Sequence, residues 1–239
     1  MGWLAAIQDD IRVAQERDPA ARGAFEVLLT YPGIHALIIH RLARRLWLAN
    51  VPLLPRLISN LSRLLTGIEI HPGARIGKRL FIDHGMGLVI GETTIIGDDC
   101  HLYQGVTLGG TSTRRERRHP TLEDGVVVGA GSKIIGAVSI GAHSRIGAGA
   151  VVVSSVPPDA TVVGVPGHVV AYTNRSNETV ERLPDPEWER IDGLEQRLAQ
   201  LEQRLDAPQQ PPAAETAGAP AGADDGAPGE PAGGGDAGR

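Results

Sequence analysis

A six-residue period between residues 70 and 152 narrows the folds open to this chain more than any other feature. Reading every sixth position gives Ile70, Ile76 and Ile82, then Ile90, Ile96, Leu102 and Leu108, then Leu122, Val128, Ile134, Ile140, Ile146 and Val152, all of them aliphatic. Seven are followed directly by glycine, at Gly77, Gly91, Gly97, Gly109, Gly129, Gly141 and Gly147. Such a period fits neither the roughly 3.6-residue turn of an α-helix nor the two-residue alternation of a plain strand. It fits a solenoid in which short strands meet at turns, the branched side chain points inward and glycine tolerates the turning backbone. Three hexapeptides close one triangular coil, so the run predicts a little over four coils of a parallel β-helix. An open glycine-rich sandwich leaves the fixed spacing unexplained.

The period breaks twice. The step from Ile82 to Ile90 is eight residues, and the step from Leu108 to Leu122 is fourteen, so residues 109–121 include an eight-residue insertion carrying "TSTRRERRHP". Insertions in solenoids emerge as surface loops, and such surfaces commonly bind ligands. Each break brings a histidine, His84 and His119. In "FIDHGMGLVIGE" the two extra residues let Asp83 and His84 stand out at the coil surface, with Gly85 and Gly87 easing the departure.

Composition divides the rest. Residues 1–66 are rich in Leu, Ala and Arg at helical spacing, with Leu37, Leu42 and Leu46 expected on one side of a helix and Arg41, Arg44 and Arg45 on the other. Residues 67–170 form the β-helix by this reading, and 171–206 a C-terminal extension. Within that extension Ile191, Leu194, Leu198, Leu201 and Leu205 recur in steps of three and four, the a/d seam of a short coiled coil. Residues 207–239 are Pro, Ala, Gly and acid without an apolar period and are expected to be disordered.

Several function classes fall away. The net charge is −5, and the basic residues gather only around residue 115, which argues against nucleic acid as partner. The one cysteine, Cys100, excludes an internal disulfide framework and fits a reducing cytosol, so a cytoplasmic location is expected. No signal-peptide pattern opens the chain, and its most apolar segment, residues 34–58, is broken by four arginines and two prolines, short of the roughly 20 apolar residues of a membrane span.

The run "IEIHPGARIGKRLFIDHGMGLVIGETTIIGDDCHLYQGVTLGGT", the loop end "RRHP", the later "GAGSKIIGAVSIG" and "VVGVPG", and upstream "RDPAARGAFEVLLTYPGIHALIIHRLARRLW" closely resemble the serine O-acetyltransferases of cysteine biosynthesis, members of the hexapeptide-repeat acyltransferases. The resemblance covers about residues 9–172. It implies a mainly β fold with α, a left-handed parallel β-helix preceded by an α-helical domain. The handedness comes from the family alone, since general connection rules favour right-handed crossovers.

The family's reaction moves acetyl from acetyl-CoA to the serine hydroxyl, a poor nucleophile until its proton is removed. His84 resembles the catalytic base, and an imidazole works best when a carboxylate steadies its other nitrogen. The family supplies that carboxylate two residues before "HP", usually as aspartate; here it is Glu69. Fifteen residues from Glu69 to His84 is close to one coil, so neighbouring coils are expected to unite them. Direct attack needs no acetyl-enzyme, and its oxyanion calls for a backbone N–H, with Gly109 and Gly110 as candidates. By resemblance Asp18 of "RDPA" and Asp83 hold the serine ammonium, and Arg118 with His119 its carboxylate, where the guanidinium fork suits two oxygens. Coenzyme A is expected along the β-helix at Gly110, Ala130 and Ala148, with Lys133 and Arg145 for its phosphates. His168 stands in "VPGH" where relatives often carry arginine.

Other readings of the same residues are weaker. Three histidines, His84, His101 and His119, suggest zinc as in γ carbonic anhydrases, but their spacing differs from that family's and no metal is expected. "GAGSK" lacks the spacing of a phosphate loop and falls in the hexapeptide register, and Cys100 reads as a small coil-facing side chain. Competing functions are acetyl transfer to another hydroxyl acceptor, such as homoserine, a sugar or an antibiotic, or a non-catalytic binding protein on the same scaffold. The resemblance also implies a homotrimer, with pairing into hexamers open, and L-cysteine as feedback inhibitor. Many relatives dock on O-acetylserine sulfhydrylase through a C-terminal isoleucine, whereas this sequence ends "GGGDAGR".

Overall fold

The computed structural model describes residues 3–176, 179–183 and 186–206. Four helices come first: α1 (Trp3–Arg17), α2 (Ala24–Thr30), α3 (Pro32–Leu48) and α4 (Leu54–Thr66). Proline in the first turn of α3 and α4 costs no hydrogen bond there, and α4 stops at Gly67, whose left-handed φ of 71° lets its N–H return to the Arg63 carbonyl.

The chain then winds through triangular coils. The first holds β1 (Glu69–Ile70), β2 (Arg75–Ile76) and β3 (Phe81–Ile82); the second β4 (Val89–Ile90), β5 (Ile95–Ile96) and β6 (His101–Leu102). The third holds β7 (Thr107–Gly109), β8 (Thr121–Leu122) and β9 (Val127–Val128); the fourth β10 (Lys133–Ile135), β11 (Ser139–Ile140) and β12 (Arg145–Ile146). β13 (Val151–Val152) and β14 (Ala160–Val163) begin a last coil, with Val156 bridging Ile140. Every third strand stacks in parallel, giving a first face β1-β4-β7-β10-β13, a second β2-β5-β8-β11 and a third β3-β6-β9-β12-β14. Of the sixth-position residues all but Ile76 are buried, each contributing roughly 1.5–3 kcal/mol of apolar burial. A second inward row two positions earlier carries smaller residues, among them Ala74, Cys100, Ser132, Ser144 and Ala150, all 0% exposed.

The solenoid end is closed by β15 (His168–Asn174), antiparallel to β14, and β16 (Thr179–Arg182), antiparallel to β15. This hairpin interrupts the six-residue pattern, so its sequence carries no hexapeptide signal.

Of the leucine stripe expected on α3, Leu37 packs inward and Leu42 does not. The buried residues are Gly33, Ile34, Ala36, Leu37, His40 and Ala43, whereas Leu42 is 42% exposed. Arg41 turns inward to a two-point ion pair with Asp10 of α1, and Arg44 donates to the Gly73 and Ala74 carbonyls at 2.9 Å. Small residues let α3 approach the first coil closely, and its arginines satisfy polar groups that the approach buries. On α4 the inward residues are Pro55, Ser59, Ser62 and Thr66, while Leu57, Leu61, Leu64 and Leu65 are exposed.

The compact unit ends at Glu189. α5 (Pro186–Asp206) continues beyond it, and from Arg190 forms a separate unit in which Ile191, Leu194, Leu198 and Leu201 are exposed. The Leu205 side chain and the tail from Ala207, expected to be disordered, lie outside the described residues. Among the described residues no helix is long and apolar enough to cross a membrane.

Candidate active site

Two edges of the triangular solenoid carry the chemistry-bearing side chains. One edge, between the third and first faces, is made by residues 83–88, 103–106, 129–132 and 147–150. The other, between the first and second faces, is made by residues 71–74, 91–94 and the long loop 110–120.

At the first edge His84 is the apex of a tight turn. Its φ of +58° lies in the left-handed region, and Gly85 and Gly87 follow at +76° and +73°. A non-glycine residue held there stores strain that the surrounding ladder must fix. Its imidazole is 76% exposed, and Nε2 lies 3.7 Å from one Asp83 oxygen. The other Asp83 oxygen lies 3.8 Å from Nε2 of His101, whose ring is sandwiched between Phe81 and Tyr103. Burial, reinforced by Arg17, pushes His101 down to about 4, so it is neutral near pH 7.

The N-terminal helices bring Asp18 to this edge. Arg17 at the end of α1 donates to the Asp99 and Cys100 carbonyls at 2.8 and 3.1 Å, clamping the helix to the solenoid. Asp18 then accepts the Ala20 N–H at 2.8 Å and the Tyr31 hydroxyl at 2.5 Å. These bonds, together with the nearby His84, hold the Asp18 carboxyl below its usual range, and the same contact pushes the Tyr31 phenol up to about 12. Asp18, Asp83 and His84 are thus gathered at one edge. Tyr31 lies in the "YPGIHAL" segment of the matching pattern, where nothing in the spacing marks it as a partner of Asp18.

Glu69 begins β1 and pairs in register with Val89, the strand that follows the histidine turn. Its carboxylate accepts from Arg63 at 2.9 Å. Among the described residues the carboxylate within 4 Å of the His84 ring nitrogens is that of Asp83, so Glu69 and His84 share a neighbourhood without a direct contact.

At the second edge the long loop folds back onto the turn that follows β4. Arg118 donates to Glu92 at 2.5 Å, and the backbone N–H groups of Arg118 and His119 donate to the Thr93 hydroxyl at 3.0 and 3.1 Å. The His119 ring is 8% exposed and lies over Gly91, where any side chain would overlap it; Gly110 approaches its Nε2 from the other side. Burial and Arg118 push His119 below its ordinary value, with Glu92 opposing. His71 joins this edge with Nδ1 accepting the Gly73 N–H and Nε2 against Arg56 at 2.6 Å; burial, then Arg56, pushes it down to about 4. A cleft of about 990 Å³ opens beside it between Trp47, Glu92 and the arginines 114, 115, 117 and 118. Within one chain, therefore, Arg118 and His119 stand at a different edge from His84, Asp83 and Asp18. His84, His101 and His119 do not converge, and no metal-holding group of His, Cys, Asp or Glu occurs among the described residues.

The residues expected to meet coenzyme A divide likewise. Ala130 and Ala148 lie on the histidine edge, in a column where Gly87, Gly105, Gly131 and Gly149 all take φ between +69° and +73°. Nothing stands within 4 Å of where side chains would project from Gly131 and Gly149, so there the column presents bare backbone to open space. That surface suits a long thin ligand hydrogen-bonding to backbone. Lys133 reaches across to the preceding coil, donating to Gly105 O at 2.5 Å and Thr107 Oγ1 at 3.0 Å, and Arg145 lies exposed on the third face. Gly110 belongs to the loop edge. His168 opens β15 and is exposed.

Comparison with known proteins agrees with this architecture. Residues 119–154 match the family described as bacterial transferase hexapeptide (six repeats). The serine acetyltransferase of Synechococcus elongatus is 54% identical over 208 residues, 86% of this chain and 85% of that one. The Neisseria gonorrhoeae serine acetyltransferase in complex with serine superposes with a TM-score of 0.68 at 42% identity, over 71% of this chain and 69% of that one. A serine acetyltransferase from Brucella abortus in complex with coenzyme A gives 0.70 at 40% identity, over 72% and 69%. The solenoid, its two histidine-bearing breaks and these relatives together make the chain a member of the serine acetyltransferase family of hexapeptide-repeat transferases.

Proposed function

We propose that acetyl transfer takes place where the histidine edge of one copy meets the loop edge of another. The reaction itself is that of the family: acetyl passes from acetyl-CoA to the hydroxyl of L-serine, giving O-acetyl-L-serine and coenzyme A. The observation that carries the shared-site reading is the separation within one chain of His84, Asp83 and Asp18 from Arg118 and His119. Serine presents an ammonium and a carboxylate a few ångströms apart, so both groups of residues must reach one molecule. The exposed leucines of α4, which packs on β1 beside the histidine edge, supply an apolar surface for that second copy. Three copies close such a head-to-tail contact into a ring.

His84 takes the hydroxyl proton as the new C–O bond forms and returns it to sulfur as the C–S bond breaks, so no acetyl-enzyme is needed. Asp83 and Glu69 stabilise the imidazolium, Glu69 once its carboxylate turns from Arg63. Asp18 and Asp83 hold the ammonium; Arg118 and His119 hold the carboxylate. The Gly110 N–H, without a hydrogen-bond partner among the described residues, is available to the developing oxyanion. Acetyl-CoA supplies the activated acetyl group, and the glycine column with Ala130 and Ala148 receives its chain; Arg145, and Lys133 once its ammonium leaves Gly105 and Thr107, reach its phosphates. L-cysteine carries the same ammonium and carboxylate and competes for the same residues.

The test is a thiol-release assay with acetyl-CoA and serine. His84→Ala is expected to lose about 10²–10⁴-fold in kcat, the usual size of a general-base contribution. His84→Ala and Arg118→Ala chains, each inactive alone, are expected to regain activity when unfolded and refolded together, since mixed rings contain an intact site. No recovery in mixed rings, with association confirmed by mass, overturns the shared site.

A further inference from the structure

The contact between Thr93 and His119 fixes more than a position. The Thr93 hydroxyl accepts the N–H groups of Arg118 and His119 at 3.0 and 3.1 Å, which occupies both of its lone pairs. Its own proton is left for Nδ1 of the His119 ring at 2.9 Å, and the Thr93 backbone N–H also points at that nitrogen, at 3.2 Å. Nδ1 therefore faces two donors and no acceptor, so the ring proton belongs on Nε2. Protonating the ring would set an N–H against both donors.

The surroundings enforce the same state. The ring is 8% exposed and wedged over Gly91, with Gly110 beside Nε2. Arg118 and, further off, His71 against Arg56 oppose a second positive charge; Glu92 favours it but is itself bonded to Arg118 at 2.5 Å.

We propose that Thr93 is a positioning residue that holds His119 as the neutral Nε2–H tautomer, so that His119 meets the substrate carboxylate as a directional hydrogen-bond donor while Arg118 alone supplies the positive charge. The same hydroxyl fastens the end of the 110–120 loop to the coil, so one side chain sets both the place and the proton of the second edge. The proposal rests on the reading of His119 as a serine ligand, and the measurements separate the two.

Nitrogen-15 spectra of the histidine-labelled full-length protein, with His119 assigned by its loss in His119→Gln, report the tautomer directly. The parent is expected to show Nε2–H from about pH 6 to 8 without titrating in that range. Thr93→Val keeps the branched shape and removes the hydroxyl; the ring is expected to mix tautomers while burial and Arg118 still hold it below its ordinary value. Serine KM should rise about tenfold, the effect of losing one well-placed hydrogen bond, with acetyl-CoA KM within twofold of the parent. Thr93→Ser should restore both spectrum and KM, which a merely structural defect would not do. A parent ring protonated on Nδ1, or a Thr93→Val ring that stays Nε2–H, overturns the proposal. A shifted tautomer with unchanged serine KM overturns instead the assignment of His119 to serine.

Discussion

The Tyr31 hydroxyl donates to the Asp18 carboxylate at 2.5 Å, joining the start of α3 to the loop after α1 directly beside His84. The bond keeps Asp18 ionised to lower pH than an ordinary carboxylate, so its attraction for an ammonium is complete above the ordinary carboxylate range and is lost only as pH falls through the depressed value. Tyr31→Phe moves that loss upward. Serine affinity, followed by calorimetry from about pH 3.5 to 6, is expected to begin falling at higher pH in Tyr31→Phe than in the parent. Superimposable profiles would remove Tyr31 from the site.

The glycine column yields a prediction specific to the cosubstrate. Gly131 has φ of +73° and open space where a side chain would project. Gly131→Ala is expected to cost about 1–2 kcal/mol of left-handed strain, read as a lower urea midpoint. It should also raise acetyl-CoA KM more than serine KM, because the new methyl enters that open space. Equal effects on the two substrates would detach the column from coenzyme A.

Acid stability follows from histidines buried neutral. Burial, then Arg44 and Arg41, pushes His40 down to about 3, and His71 and His101 sit at about 4. Each is below its unfolded value near 6.5, so the unfolded chain binds more protons in acid, and stability present above about pH 6.5 is lost as pH falls toward the folded values. For His40 the loss by pH 4.5 is roughly 2–3 kcal/mol. His40→Leu, compared with the parent by urea unfolding at pH 7.5 and 4.5, is expected to flatten the difference by about that amount. An unchanged pH dependence would show that His40 is already charged or exposed.

The buried ion pair of Asp10 and Arg41 is expected to be more sensitive to single than to double substitution. Asp10 is 1% exposed and, despite Arg41, burial leaves its carboxyl raised. Arg41→Leu strands that carboxylate and is expected to cost about 3–5 kcal/mol. Asp10→Leu combined with Arg41→Leu should recover most of it. Additive losses in chemical unfolding would rule out the coupling.

The heptad positions of α5 offer an association test. Ile191, Leu194, Leu198 and Leu201 are exposed at steps of three and four, an arrangement that a parallel bundle of copies would bury. A chain ended after residue 185 is expected to keep its activity and to dissociate at higher concentration than the full-length protein by sedimentation. Identical dissociation would leave the seam without a role in assembly.

Much of this was legible in the one-dimensional pattern. The sixth-position residues, the two breaks and their histidines are set by a solenoid's demand for one inward branched residue per side, and the structure has the same coils and turns. The α3 helix was read less well: Leu37 packs but Leu42 is exposed, and the packed face includes Gly33, which lies so close to Ile82 of β3 that any side chain there would overlap it. Tyr31 and Thr93 carried no periodic signal, because each acts through a partner remote in sequence, and the β15–β16 hairpin lies beyond the hexapeptide run.

Sequence alone determined the solenoid, since its period is a local rule repeated in every coil, and its motifs singled out the side chains proposed to react. Tertiary structure decided which of those side chains can meet. His84, Asp83 and Asp18 share one edge because Arg17 clamps α1 to the coil, while Arg118 and His119 are held at another by Thr93. The edge to which a residue belongs depends on how the coils stack and the helices dock, and spacing along the chain does not record either.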